Sequence, residues 1–353
     1  MKKSIQALFT ITAIAAGTIL GSCDSAIFDY EGDCSVKYRL PITYKMNYLD
    51  VDALSTQVER VSVYVYNEQG TFERSFSATV DQLADNGYAL EFADGVLKPG
   101  RYSMLVWGEG RAEGSDPAAF AIGGGSTPAL TDLSATLSLS GADGSLYCDH
   151  DITPLFHGYA ASVELPDTYG TVELPAIDLT KDTNMISIAL ENIEGYPIEP
   201  DALTVSIEAD NSELSWQNQP IGDRLFSYMP WSVTQLESIR PETRDGDEEQ
   251  EEATETSVTG LLAELTTGRL MADRKPMLVV HRTWDDKDIL RLDLVNLLCL
   301  VRGHYGAWSA QEYLDRIDRY TMTFFIDADL NWYTAGGINI LGWKVVPPQI
   351  MEF

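Results

Sequence analysis

Cations are scarce in this sequence: 24 Lys and Arg stand against 54 Asp and Glu, for a formal net charge of −30. Each phosphate contact needs a cation, and a field of this sign repels polyanions, so nucleic acid and anionic headgroups are excluded as electrostatic partners. Four cysteines are too few for a disulfide-dense scaffold, and four histidines do not point to a histidine-built metal centre. Phosphate-loop signatures are missing too, since Gly108, Gly110 and Gly114 miss the dinucleotide spacing by one residue and no Gly-Lys-Ser or Gly-Lys-Thr occurs. No Gly-x-Ser-x-Gly elbow exists, and His157, His281 and His304 have no nucleophile beside them in sequence. Asp327, Asp329 and Asn331 imitate the start of a calcium loop, but Trp332 stands where such a loop needs glycine and Ile338 where it needs glutamate. Asp149, His150 and Asp151 lack a second histidine at ligand spacing and read as a hydrated turn. The expectation is a protein with no catalytic residues, no metal, no cofactor and no small-molecule substrate.

Long apolar runs are also absent, apart from one that is too short to span a bilayer. Ile5 to Leu20 is about 16 residues, roughly 24 Å as a helix, against roughly 30 Å of hydrocarbon. It follows Lys2 and Lys3 and leads into Leu20, Gly21, Ser22 and Cys23, the pattern of a signal peptide ending in a lipobox. Residues 1–22 are therefore expected to be removed and Cys23 to be lipidated. Each buried methylene contributes about 0.8 kcal/mol, so two or three acyl chains hold a protein on a membrane without any spanning helix. Removal of residues 1–22 leaves 22 basic against 54 acidic groups, a formal −32, so the attachment must be hydrophobic. Residues 23–33 read as an acidic tether, a solvated spacer or a surface-export signal. In an oxidising compartment three cysteines remain, and a Cys34–Cys148 bridge between two exposed positions is the candidate pair, with Cys299 left as a buried thiol.

The remainder is written in period-two alternation. Val61, Val63 and Val65 point one way and Ser62, Tyr64 and Tyr66 the other, up to a turn at Asn67 to Gly70. Similar runs occur at Tyr88 to Phe92, Tyr102 to Trp107, Ala135 to Leu139, Thr171 to Leu174, Met185 to Leu190, Leu203 to Glu208, Met277 to Thr283 and Ile289 to Leu294, the last two joined by a loop from Trp284 to Asp288. An all-β chain with antiparallel sandwiches follows. A change of texture between Asp151 and Gly158 places the domain boundary there, giving an N-terminal domain over 34–158 and a C-terminal domain over 159–353. Eight acids and one arginine between Glu242 and Glu255 repel one another and read as a disordered loop. One helix is expected near the C terminus: Ser309 and Glu312 form a capping box, Tyr313, Leu314, Ile317 and Tyr320 share a face, and Glu312–Arg316 and Asp315–Arg319 are four-residue ion pairs.

Several stretches carry a family resemblance. They are Phe28 to Cys34 after the lipobox, Val61 to Tyr66, Pro99 to Tyr102 leading to Val106 and Trp107, Pro154 to Gly158, and Leu179 to Asn184. The C-terminal block, Gln311 to Arg316, Tyr320 to Asp327 and Ile338 to Trp343, is the most specific. Together they resemble the FimB-type fimbrium anchoring subunits, lipoproteins related to the fimbrillins of Bacteroidales pili. The chain departs at Lys45, where the family favours aspartate, and at Leu341, where asparagine is usual before Gly-Trp. The resemblance implies two transthyretin-like β-sandwich domains and a lipoprotein of the outer membrane that holds the base of a pilus and limits its length. A stalk subunit is then the partner, engaged through strand exchange or edge pairing. The first strand, near Val36 to Tyr44, is expected to stay in its own domain, and Ile338, Ile340, Trp343 and Val345 mark the candidate partner-strand region. Two other readings share these features: a surface glycan-binding lipoprotein, with Trp107, Trp216, Trp231, Trp284, Trp308, Trp332 and Trp343 as stacking candidates, and a tip adhesin of the same superfamily.

Overall fold

The first strand, β1 (Val36–Met46), serves two layers. A computed structural model describes residues 35–111, 119–142, 144–241 and 255–346. The signal peptide, the tether, Cys23, Cys34 and residues 242–254 of the expected acidic loop lie outside the described residues. β2 (Val58–Asn67), β3 (Phe72–Thr79), β4 (Ala89–Phe92) and β5 (Gly100–Gly110) follow, then the short β6 (Phe120–Ile122), β7 (Ser134–Leu137) and β8 (Tyr147–Cys148), and β9 (Leu155–Leu165), β10 (Gly170–Glu173) and β11 (Ile177–Lys181). Residues 36–41 of β1 lie between β10, parallel, and β4, antiparallel; from Ile42 onward the strand pairs with β11 in the opposite layer. That layer continues as β11-β9-β5-β2-β3. Leu40, Ile42, Val63, Val65, Met104, Val106, Phe156 and Leu179 fill the space between the layers. The first strand is thus paired on both edges over part of its length, with two of its three partners, β10 and β11, beyond residue 158.

The second module comprises β12 (Thr183–Asn192), β13 (Leu203–Ala209), β14 (Glu213–Ser215), β15 (Phe226–Tyr228), β16 (Ser232–Pro241), β17 (Glu255–Gly268), β18 (Met277–Arg282), β19 (Lys287–Asp293), β20 (Arg319–Ile326), β21 (Ile338–Ile340) and β22 (Trp343–Val345). One sheet runs β16-β17-β12-β20-β21-β22 and the other β19-β18-β13-β15-β8, with a small β14-β7-β6 sheet beside them. Ile186, Ile188, Leu265, Leu278, Val280, Leu297, Tyr320 and Phe324 occupy the core between the layers. The architecture is the expected all-β sandwich, but the sheets are mixed: β12 runs parallel to β20 and β15 parallel to β8, as β1 does to β10 and β11.

Strand pairing divides the chain later than the texture of the sequence suggested. A boundary at Gly158 would cut through β9, and the first module's last strand ends at Lys181. Conversely, β6, β7 and β8 from the first half of the chain pack in the second core. The reason lies in β5, where Met104 and Val106 face the first core while Leu105 and Trp107 face the second. A strand covered on both faces is a continuous apolar run, which alternation arguments do not resolve into inside and outside.

Among the described residues four short α-helices join the strands: α1 (Leu54–Gln57), α2 (Val80–Ala84), α3 (Leu294–Cys299) and α4 (Ala310–Arg316). α4 is the helix read from the sequence. Ser309 caps it by accepting from the Glu312 amide at 3.1 Å, and Glu312 accepts from Arg316 at 3.0 Å. It ends at Arg316, so Tyr320 belongs to the following strand and not to the helix face. The expected Asp315–Arg319 pair does not form. Asp315 is taken by Arg269 from the end of β17, a partner far away in sequence.

Candidate functional site

Two constructions distinguish this molecule, a buried joint between the modules and an open edge at the C-terminal end of the six-stranded sheet. The joint gathers three of the stretches that carried the family resemblance. Lys181 Nζ reaches Asp318 Oδ2 at 2.6 Å, and the amide of Asp182 donates to the carbonyl of Leu155 at 2.7 Å. Asp182 is fully buried, accepts from Asn218 Nδ2 at 2.8 Å and lies 3.8 Å from Arg269 Nε. Arg269 holds Asp315 at two points, 3.0 and 2.9 Å, and also donates to the carbonyl of Asn218. Asn211 accepts from the Tyr228 hydroxyl and donates to the Arg269 carbonyl, both at 2.9 Å. His157 Nε2 lies 2.9 Å from the carbonyl of Trp216, and because a carbonyl only accepts, that nitrogen carries a proton and donates it. Burial pushes Asp182 up to about 7 and His157 down to about 4, because each is held where its charged form is poorly solvated. These bonds run from one module to the other, which makes the joint a fastening between them.

The open edge is the hairpin of β21 and β22. β21 pairs with β20 through Ile338↔Phe324 and Ile340↔Met322, and β22 folds back on it through Trp343↔Ile340 and Val345↔Ile338. Leu341 and Gly342 form the two-residue turn, with φ of 50° and 82°, the pair of positive values that a type I′ hairpin requires. Of the four residues marked in the sequence, Ile338 and Ile340 are buried, Val345 is half-buried and Trp343 is exposed. β22 ends the sheet, so its outer row of amides and carbonyls has no strand beside it among the described residues.

An aromatic strip leads away from this edge. The Trp343 indole lies flat on the His304 ring, 3.8 Å between centroids and 3° between planes. Tyr305 accepts a hydrogen bond from Trp343 and meets Tyr48 edge-on at 5.8 Å. Tyr48, Leu49 and Val51 are more than half exposed on the loop after β1, and Leu300 adds to the surface. Arg316 fixes that loop to α4, donating to the carbonyl of Asn47 at 3.1 Å and to Asp50 at 3.3 Å, with its guanidinium 5.2 Å from the Trp308 ring. Sequence reasoning found Trp343 but missed Tyr48 and His304, because the strip joins three segments that are distant in the chain.

Cys148 is 2% exposed, not the exposed residue expected, and its thiol is pushed up to about 11 by burial; Cys299 is half-buried. Cys148 lies on β8 against the second core, where its Gly-rich sequence neighbours gave no hint of cover. Asp327 uses its carboxylate to accept from the amides of Asp329 and Asn331 at 3.0 and 2.8 Å, while Arg282 donates to the Asp329 carbonyl and to Asn331 Oδ1, both at 2.8 Å. A guanidinium therefore stands at that loop. Among the described residues no group of three or more His, Cys, Asp or Glu side chains is arranged to hold a metal ion, and no helix is long and apolar enough to cross a membrane.

A candidate adhesin from Bacteroides thetaiotaomicron is 25% identical and superposes with a TM-score of 0.71, covering 90% of this chain and 99% of its own. A second protein of that organism, described as a candidate polysaccharide-binding protein, is 22% identical at a TM-score of 0.70 over 90% and 99% of the two chains. The fimbrial anchor protein Mfa2 from Porphyromonas gingivalis shares the fold at 16% identity and a TM-score of 0.59, covering 89% of this chain and all of that one (100%). No curated protein matches. The family model of the fimbrillin-A associated anchor proteins Mfa1 and Mfa2 matches residues 30–347, nearly the whole chain, and the protein belongs to that family.

Proposed function

We infer that this protein is an outer-membrane lipoprotein, held through acylated Cys23, that roots the base of a pilus and limits its length, with β22 receiving an extended segment of the first stalk subunit. The observation that carries the reading is the open β22 edge flanked by Trp343, Tyr48, Leu49 and Val51 in a chain of the anchor family. An added strand gains main-chain hydrogen bonds along an edge, and apolar surface beside the edge gives pockets for its alternate side chains. A lipid-held subunit cannot release its N-terminal strand without releasing itself, and β1 is locked between β10, β4 and β11. The joint at Asp182 and Arg269 suits a load-bearing element, since tension on one module passes to the other through buried bonds.

The reading is tested in cells with Cys23→Ala and with the chain ending at Gly337. The first is expected to leave the envelope fraction and shed pili. The second is expected to stay with the envelope yet shed pili, provided circular dichroism shows the sandwich intact. Pili that remain rooted in Cys23→Ala cells would overturn the lipid anchor, and pili that remain rooted on a folded truncated protein would overturn the β22 edge.

A further inference from the structure

At the far end of β12 and β18 an open cleft of about 480 Å³ lies between three loops. That volume falls within the roughly 300–1,000 Å³ of small-ligand sites. Tyr196 and Trp284, 57% and 59% exposed, present ring surface to it, and Glu199, Asp201, Asn192 and Thr283 add polar groups. Two large aromatic side chains this exposed in the lining of one cleft give it the apolar surface that ligand sites use.

The walls are held by hydrogen bonds, and although Arg282 covers one face of Trp284, more than half of that side chain and of Tyr196 stays exposed. Thr259 donates to the carbonyl of Tyr196 at 2.6 Å, and Thr283 donates to the carbonyl of Asp201 at 2.8 Å. Arg282 braces the third loop through the Asp329 carbonyl and clamps Asp285 at 2.9 and 2.7 Å. Such bracing orders the cleft before any ligand arrives, which lowers the cost of binding.

The chemistry selects the occupant. Aromatic faces stack on the C–H face of a pyranose ring, and carboxylates accept from its hydroxyls. An apolar peptide would desolvate Glu199 and Asp201 without replacing their hydrogen bonds. Those two carboxylates, on a chain of −30, repel uronates and other acidic sugars. A cationic ligand finds one face of Trp284 already taken by the Arg282 guanidinium, 4.9 Å from the ring centroid. We propose that this cleft binds a neutral oligosaccharide, stacked on Trp284 and Tyr196 and hydrogen-bonded by Glu199 and Asp201.

The test is calorimetry on the purified full chain with maltohexaose, cellohexaose, mannohexaose and chitohexaose, with hexagalacturonate and hexalysine as charged controls. At least one neutral probe is expected to saturate. Trp284→Ala and Tyr196→Ala, each with an unchanged thermal melt, are expected to weaken it about tenfold or more, while Trp343→Ala binds as the parent does. The proposal is overturned if no neutral probe saturates, if binding is unchanged in Trp284→Ala, or if hexagalacturonate or hexalysine binds as well as the sugars. Pilus attachment is scored on the Trp284→Ala and Tyr196→Ala variants and is expected to be normal, so a failure here leaves the anchoring role to its own tests.

Discussion

Arg269 grips Asp315 at two points, Nε to Oδ1 at 3.0 Å and Nη2 to Oδ2 at 2.9 Å, and its Nε also lies 3.8 Å from Oδ1 of the buried Asp182. One cation thus answers for two carboxylates at the seam between modules. Arg269→Met removes the partner and leaves those acids buried, a change expected to cost about 3–5 kcal/mol. Arg269→Lys restores charge but not the planar fork and is expected to recover only part of the loss. Urea unfolding of the three proteins at neutral pH measures it.

The same joint makes a pH prediction with two opposed signs. Asp182 in the folded chain keeps its proton up to about pH 7, whereas the unfolded acid loses it near pH 4. Its contribution is therefore full below pH 4 and declines as pH rises through 7. His157 titrates near 4 when folded and near 6.5 when unfolded, so its contribution grows as pH rises between those values. Each effect is on the order of a few kcal/mol. Relative to the parent, Asp182→Asn is expected to gain stability steadily from pH 4 to 7, and His157→Gln to lose it from pH 4 to 6.5. Unfolding midpoints at four pH values across that range decide it, and parallel curves for all three proteins would reject the assignment.

What the sequence disclosed follows the range of each interaction. The alternation of Val61, Val63 and Val65, the turn at Gly70 and the Ser309 cap are set within a few residues and were legible. Asp315 offered two partners, and the neighbour four residues on looked sufficient until Arg269, 46 residues away, proved better placed and less exposed. The division of the chain and the cover over Cys148 were hidden for the same reason, because β5 is buried on both faces by segments more than ten residues away along the chain. At the candidate edge, Ile338, Ile340, Trp343 and Val345 could be marked from the sequence as one strand region, but its fold into a hairpin and the strip through His304 and Tyr48 exist only in the folded chain.

Leu341 sits at φ 50° in the β21–β22 turn, a conformation in which its Cβ crowds the backbone at a cost of about 1–2 kcal/mol. Asparagine, the residue usual before Gly-Trp in the anchoring subunits this chain resembles, tolerates that region. Leu341→Asn gives up some packing of a half-buried side chain and is expected to raise stability by a few tenths to about 1 kcal/mol. Leu341→Val, branched at Cβ, is expected to lower it by about 1 kcal/mol or more. A thermal-melt series reads both, and a lower melting temperature for the asparagine variant would contradict the strain.

Lys344 permits the sharpest test of the edge. In a two-residue hairpin the positions flanking the turn, Ile340 and Trp343, exchange hydrogen bonds, and so do Ile338 and Val345. Asn339 and Lys344, between them, form the pair that does not, so the Lys344 amide points away from β21 toward the open side. Lys344→Pro removes that one outward donor without breaking the hairpin's own ladder, because edge strands tolerate proline on their free side. Lys344→Ala keeps the donor and removes only the charge. The proline variant is expected to melt within about 1 kcal/mol of the parent, to fractionate with the envelope and to shed pili under shear, while the alanine variant keeps them. Equal pilus retention by both folded variants would show that no strand adds at β22 and would move the contact to the aromatic strip, where Tyr48→Ser and Leu49→Ser are the next substitutions to score.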